Sequence, residues 1–283
     1  MKAFIPGRKY AVVSITGSAC LLKCKFCEGK YLEKMYSAPT PKKLYSLAEI
    51  LWKRGFKGLL ISGGFNEYGQ LPIGPYLPVI KEIKRDFDLV ISVHPGLVNN
   101  KTIAEMKKVG IDVVDYQLVV DDFVIREVMN LKNRSSIDFL TTLRNLYEEG
   151  LYVAVHIPIG LNYGVIKSEY DALNILFNVL DPHILIFLVL TPTRGTPMEH
   201  VKPPDITEIV DLISYARNIY KGEIALGCMR PAFYKPTLDK LLLEKRVIDR
   251  IVLPLQQYIK RYRLKVVDAC CSLPEKLIAR FEP

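Results

Sequence analysis

No stretch of this 283-residue chain is apolar for more than seven residues, the longest being Ile184–Leu190. A helix that crosses a bilayer needs about 20 such residues, so a membrane span is excluded. The opening Met1–Arg8 has no apolar core of the length a secretory signal uses, and a cytoplasmic location is expected. Histidine is scarce as well: four residues in all, the first at position 94. The cysteines at 20, 24 and 27 therefore have no nearby histidine and no second C-x2-C pair, the usual makings of a structural zinc site. Glutamine is also rare, four residues beside 39 Lys+Arg and 30 Asp+Glu, a bias that points toward thermophilic proteins. The net charge of +9 and pI near 9.1 suit nucleic acid, an acidic protein or simply a solvated face. Basic residues are spread along the chain with no finger, RRM or Arg-rich tail, which argues against nucleic acid.

What is present begins with Ser18-Ala-Cys-Leu-Leu-Lys-Cys-Lys-Phe-Cys27, a C-x3-C-x2-C triplet directly after the strand-like run Tyr10–Thr16. Three thiolates on one short loop can hold three irons of a [4Fe–4S] cube and leave the fourth open to a small chelating molecule. Reduced thiolates of this kind fit a reducing compartment rather than a disulfide framework. The spacing resembles the signature of the radical S-adenosylmethionine (SAM) superfamily. The resemblance implies that Cys20, Cys24 and Cys27 are both metal ligands and catalytic residues. It also implies that SAM is bound and reductively cleaved to a 5′-deoxyadenosyl radical, with an electron-donor protein as partner.

Apolar, β-branched runs recur with helical patterns between them. Strands are expected over 10–16, 58–63, 88–93, 111–119, 151–157, 183–190, 223–228 and 250–253, several of them continuous Val/Ile/Leu as in parallel sheets covered on both faces. Helices are expected over 46–54, opened by a Ser46/Glu49 capping box, and near 73–86, 99–109, 136–149, 168–180, 204–220 and 236–248. Gly55, Gly110 and Gly150 fall where helices should stop. Eight alternations point to an α/β fold, a (β/α)8 TIM-type barrel; an open six-stranded partial barrel is the alternative. The expected division is a barrel over 1–254 and a C-terminal extension over 255–283 that returns to it.

Chemistry in such barrels sits at the C-terminal ends of the strands. The second expected strand ends in Ser62-Gly63-Gly64, where paired glycines admit close backbone approach. This resembles the superfamily's glycine motif that contacts the SAM amino group, with Phe65 in place of the usual acid. His94 ends the third strand and is either a SAM or substrate contact or a structural histidine. Tyr116, Gln117 and Asp121 resemble the stretch that holds the SAM ribose in biotin synthase and its relatives, although Asp121 is equally suited to be an N-cap. His156 closes a run resembling one that packs on adenine. Arg194, in a Pro-x-x-Gly-Thr-Pro-like loop, and Arg230, in Gly-Cys-Met-Arg-Pro, resemble polar anchors of the same branch, with an ordinary ion pair as the other reading.

Cys228, Cys270 and Cys271 remain. They are either small buried hydrophobes or ligands of a second, auxiliary [4Fe–4S] cluster, the adjacent pair requiring a backbone turn between extended residues. A fourth ligand could be Ser272, substrate or a labile sulfur. Biotin synthase draws its second cluster from cysteines on its middle strands, and here those strands have none. Gly-Cys-Met-Arg-Pro with a C-terminal Cys-Cys instead resembles the archaeal-type two-component lipoyl synthases. That resemblance implies sulfur insertion into an unactivated C–H of a protein-bound octanoyl chain. Its implied partners are an acidic carrier protein bearing octanoyl-lysine and a sister radical SAM subunit. The alternative is another biotin-synthase-like enzyme of cofactor biosynthesis with a single cluster.

Overall fold

The computed structural model describes residues 1–282. Eleven strands form one wholly parallel sheet: β1 (Lys2–Phe4), β2 (Tyr10–Ser14), β3 (Tyr36–Ser37), β4 (Gly58–Ser62), β5 (Val90–Val93), β6 (Val113–Gln117), β7 (Val153–Ile159), β8 (Ile184–Val189), β9 (Ile224–Leu226), β10 (Arg250–Val252) and β11 (Lys265–Val267). Their order is β11-β1-β10-β9-β8-β7-β6-β5-β4-β2-β3. The α/β barrel-type sheet is as expected, in its open form: β3 and β11 are free edges and the ring does not close. All eight expected strands are present. The three unforeseen ones, β1, β3 and β11, are two or three residues long, too short for a periodic signal.

The helices are α1 (Pro41–Lys53), α2 (Leu77–Asp86), α3 (Asn100–Lys108), α4 (Ser136–Glu148), α5 (Glu169–Val179), α6 (Ile206–Ile219), α7 (Lys235–Lys245), α8 (Gln256–Arg261) and α9 (Glu275–Ile278). The expected start of α1 is corrected: Thr40 caps it, its hydroxyl accepting from the Lys43 N–H at 3.2 Å, with Pro41 at the first turn. Proline fits there because that N–H has no partner in any case. Gly55, Gly110 and Gly150 do follow helices in the left-handed region, at φ +87°, +82° and +74°.

Strand residues alternate between two cores. One set (Val13, Ile61, Val93, Val155 and Phe187 among them) packs against the helices. The other set (Tyr10, Val90, Val113, Ala154 and Ile186) faces the concave side. There it meets the chain's own C-terminal segment through Cys271, Leu273, Ile278 and Phe281. The concavity is thus filled near the strands' N-terminal ends by residues 268–281. β11 pairs in parallel with β1, and the Asp268 N–H donates to the Phe281 carbonyl at 2.9 Å.

Candidate active site

The triplet loop runs from β2 across the mouth of the sheet and is fastened on two sides. On one, the Gly64 N–H donates to the Thr16 hydroxyl at 2.7 Å, which itself donates to the Ala19 carbonyl at 2.9 Å. The Leu21 N–H donates to the Phe65 carbonyl at 2.9 Å. On the other, the Asn130 amide donates to the carbonyls of Leu22 and Lys23, at 2.8 and 2.7 Å, and the Lys25 N–H to the Val128 carbonyl at 2.8 Å. Turns at Lys23 and Glu28, both at φ 47°, wind the loop tightly.

Within the loop the Cys24 thiol donates to the Met129 carbonyl at 3.4 Å. Its hydrogen bond with Cys27, and then burial, hold it well above the usual thiol range. The same bond favours the Cys27 thiolate and lowers that group. Gly64 is the close approach expected of the glycine pair, but what it approaches is the loop. A Cβ there would lie 1.9 Å from the Ala19 oxygen and 2.5 Å from the Cys20 Cα. Ser62 and Gly63 sit beside it at the end of β4.

His94 and Gln117 border one small cavity with Phe65 and Met129. His94 packs edge-on against Phe65, with ring centroids 5.2 Å apart, and burial pushes its imidazole down to about 4. The Gln117 amide nitrogen is buried without a partner, free for a ligand's acceptor. Three other expected contacts are engaged elsewhere. Tyr116 points outward, its hydroxyl donating to the Phe139 carbonyl at 2.8 Å. Asp121 is an N-cap: one carboxylate oxygen accepts the N–H groups of Phe123 and Val124, and the other accepts from the Asn162 amide. Arg230 is 4% exposed. It makes a two-pronged pair with Asp239, at 2.7 and 2.8 Å, and donates to the Gly227 carbonyl at 2.9 Å. That pair fixes the loop bearing Cys228 to α7. Arg194 is exposed.

The structure gathers the remaining cysteines on the concave side. Cys228 stands after β9 at the mouth, open to solvent yet surrounded by barrel walls, and burial pushes its thiol up to about 11. Cys270 and Cys271 lie on a turn, with the Leu273 N–H reaching the Cys270 carbonyl at 3.4 Å. Their mutual hydrogen bond lowers Cys270 and, with burial, raises Cys271. Ser272 donates to the Cys270 sulfur at 3.2 Å. Among the described residues, no three His, Cys, Asp or Glu side chains converge on one point as a ready metal cage.

Two interior residues had gone unread in the sequence. Arg250, fully buried, donates to the carbonyls of Cys271 (2.7 Å) and Leu273 (2.5 Å) and pairs with Glu223, so it pins the cysteine turn. Asp115 is 5% exposed with both carboxylate oxygens unpartnered. A charged residue opening Arg250-Ile-Val and one inside Val113-Val-Asp-Tyr were the available signals.

A sequence profile described as the Radical SAM superfamily matches residues 14–172, more than half of the chain. The chain belongs to the radical SAM superfamily. It is 24% identical to the biotin synthase of Pseudoalteromonas translucida over 213 residues, 73% of this chain and 60% of that enzyme. For the biotin synthase of Chlorobaculum tepidum the figures are 23% over 227 residues, 76% and 66%. The chain thus spans under two thirds of these relatives' length. Methylornithine synthase superposes with a TM-score of 0.63 at 18% identity, covering 90% of this chain and 73% of that one. The FeFe-hydrogenase maturase HydG from Carboxydothermus hydrogenoformans gives 0.64 at 13%, covering 97% and 70%; both likenesses concern the fold. Membership implies a [4Fe–4S] cluster and SAM, and the donor set fits: three free cysteines share one strapped loop. Among the described residues, no helix is long and apolar enough to cross a membrane.

Proposed function

We propose that this radical SAM enzyme inserts sulfur into an unactivated C–H of a protein-bound octanoyl chain, as one component of a two-protein lipoyl synthase. Cys20, Cys24 and Cys27 would hold the SAM-binding cluster, and Cys228, Cys270 and Cys271 an auxiliary one. When bound, these groups supply the hydrogen-abstracting radical and the sulfide. The chain's own residues position the groups and shape the chamber. Thr16, Gly64 and Asn130 hold the first loop, Arg230 and Arg250 hold the second cysteine set, and the Gln117 amide offers a donor to SAM. The observation that supports the reading is that Cys228, after β9, and the Cys270–Cys271 turn, after β11, lie on the same side of the sheet although strands β10 and β11 and helices α7 and α8 separate them in sequence.

A basic protein of net charge +9 suits an acidic octanoyl-lysine carrier; a sister subunit, an electron-donor protein and the cytoplasm complete the proposal. A second reading, a single-cluster enzyme of cofactor biosynthesis, is favoured by the burial of Cys271 among apolar side chains. Anaerobic iron analysis of the Cys20→Ala/Cys24→Ala/Cys27→Ala chain separates the two. About four irons remaining supports the auxiliary cluster, and none leaves the single-cluster reading. Formation of 5′-deoxyadenosine and thiolation of an octanoyl-lysine peptide, assayed with the intact chain, test the substrate.

A further inference from the structure

The concave chamber above the tail segment has two unlike walls. Side chains alternate across a strand, and the alternation that turns Val113 and Ala154 inward also turns Asp115 and His156 inward, on β6 and β7, where they stand 3.9 Å apart. Ser92 on β5 joins them, its hydroxyl accepting from the inward Tyr10 phenol at 2.8 Å. That wall is polar. The next strands round the sheet, β8, β9 and β10, present Leu188, Ala225 and Val252 to the same concavity. Arg250, deeper on β10, is spent on Glu223 and on the carbonyls of the tail. The second wall is apolar.

Burial singles out Leu188. Its strand neighbours Ile186, Phe187 and Val189 are buried, yet Leu188 is only half-buried although it faces the interior. An inward apolar side chain left open in this way is a surface that an apolar occupant can cover. Gly227 makes room for it: a Cβ there would lie 2.5 Å from a Leu188 methyl and 3.1 Å from an Ile186 methyl. Gly227 lies outside the left-handed region, so it is space and not backbone conformation that calls for glycine. The residue after it is Cys228. Leu60 on β4 is likewise half-buried and packs on the tail's core as Leu188 does, so the base of the chamber is apolar too.

We propose that Leu188 is the specificity-determining residue of this chamber: it lies along a saturated hydrocarbon chain of the substrate and, with the room that Gly227 leaves, sets the length of chain accepted. The inference rests on the sulfur-insertion reading above and deepens it. A saturated chain has no donor or acceptor to fix its position, so apolar contact and shape alone select it. Laid on the opposite wall, the chain would meet polar groups that it cannot hydrogen-bond. Against Leu188 each methylene removed from water is worth about fourfold in affinity.

The test uses the full chain, reconstituted anaerobically with iron and sulfide and supplied with SAM. One peptide whose lysine bears a hexanoyl, octanoyl or decanoyl chain is titrated into it by calorimetry, and sulfur insertion into each is followed by mass spectrometry. Octanoyl should bind the wild type roughly 15-fold more tightly than hexanoyl, and at least as tightly as decanoyl. Leu188→Phe fills the space directly, and Gly227→Ala fills it by pushing Leu188 into the chamber. Both should cost octanoyl about tenfold while leaving hexanoyl and SAM affinity unchanged. Leu188→Ala should shift the preference toward decanoyl. Retention of the wild-type preference in all three variants overturns the proposal, as does a wild type that binds none of the peptides. If either filling variant fails to fold by circular dichroism, the wild-type series and Leu188→Ala decide: equal affinity for hexanoyl and octanoyl, or an unchanged preference in Leu188→Ala, refutes the wall. Binding that depends on chain length with no sulfur inserted is a different failure, which removes the sulfur-insertion reading and leaves the wall standing.

Discussion

Replacing Gly64 with alanine adds one methyl group where the cluster loop leaves no room. The new Cβ would sit 1.9 Å from the Ala19 oxygen and 2.6 Å from the Cys20 Cβ. Ordinary contact begins near 3.4 Å, so the loop must retreat by roughly 1.5 Å, because the atoms it meets are backbone and cannot rotate aside. Overpacking of this kind costs about 1–3 kcal/mol. The retreat also stretches the Gly64–Thr16–Ala19 hydrogen bonds, worth about 1 kcal/mol each. A loss of about 3 kcal/mol is a substantial part of a domain's stability and should lower Tm by roughly 5–10 °C for a chain of this size. The damage is local to Cys20, so iron and sulfide content after reconstitution should fall well below wild type while far-UV circular dichroism stays unchanged. Gly55→Ala is the control: its φ is left-handed, +87°, unlike that of Gly64, but there is open space at its Cβ, so it should lose about 1 kcal/mol and no iron. Full iron loading and undiminished SAM cleavage in Gly64→Ala would show that the loop is not held as argued.

Two further outcomes follow from buried charge. Arg230→Ala strands the Asp239 carboxylate, which is fully buried; chemical denaturation should show a loss of about 3–5 kcal/mol, and Cys228 should become more reactive toward a thiol reagent as its loop loosens. His94 and His156 both have folded values near 4, depressed by burial from 6.5. The unfolded chain therefore binds more protons between these limits, and stability should decline as pH falls below about 6.5, with the loss complete near 4. His94→Gln should flatten that decline in urea titrations across this range, and an unchanged slope would mean that His94 is protonated in the folded protein.

The triplet, the strand–helix alternation and the glycine stops were legible because each is a local pattern. Cysteine spacing, a run of β-branched residues or a left-handed glycine has its meaning within a few positions of itself. The sequence also placed Cys228 correctly at a strand's mouth. What it left open was every choice between distant partners. Arg230 and Asp121 read as cofactor contacts or as ordinary structural groups; which partners they have here, Asp239 on α7 for the one and the turn that follows for the other, came only from the packed structure. The open sheet depended on where β1 and β11, three-residue strands near the chain ends, and the two-residue β3 would pair, and so short a strand acquires its hydrogen bonds only from neighbours already in place. The concave core depended on more than that. A tail residue such as Phe281 finds Tyr10 only after the sheet has curled, and Arg250 is tolerable in the interior only once the carbonyls of the Cys271–Leu273 turn arrive to accept its protons. The sequence by itself determined the chemistry of the first loop and the parallel α/β scaffold. Tertiary structure alone decided which polar groups were spent on holding the molecule together and which, Gln117 and Asp115 among them, were left unpaired inside it, because satisfying a buried charge depends on atoms that chain proximity does not supply.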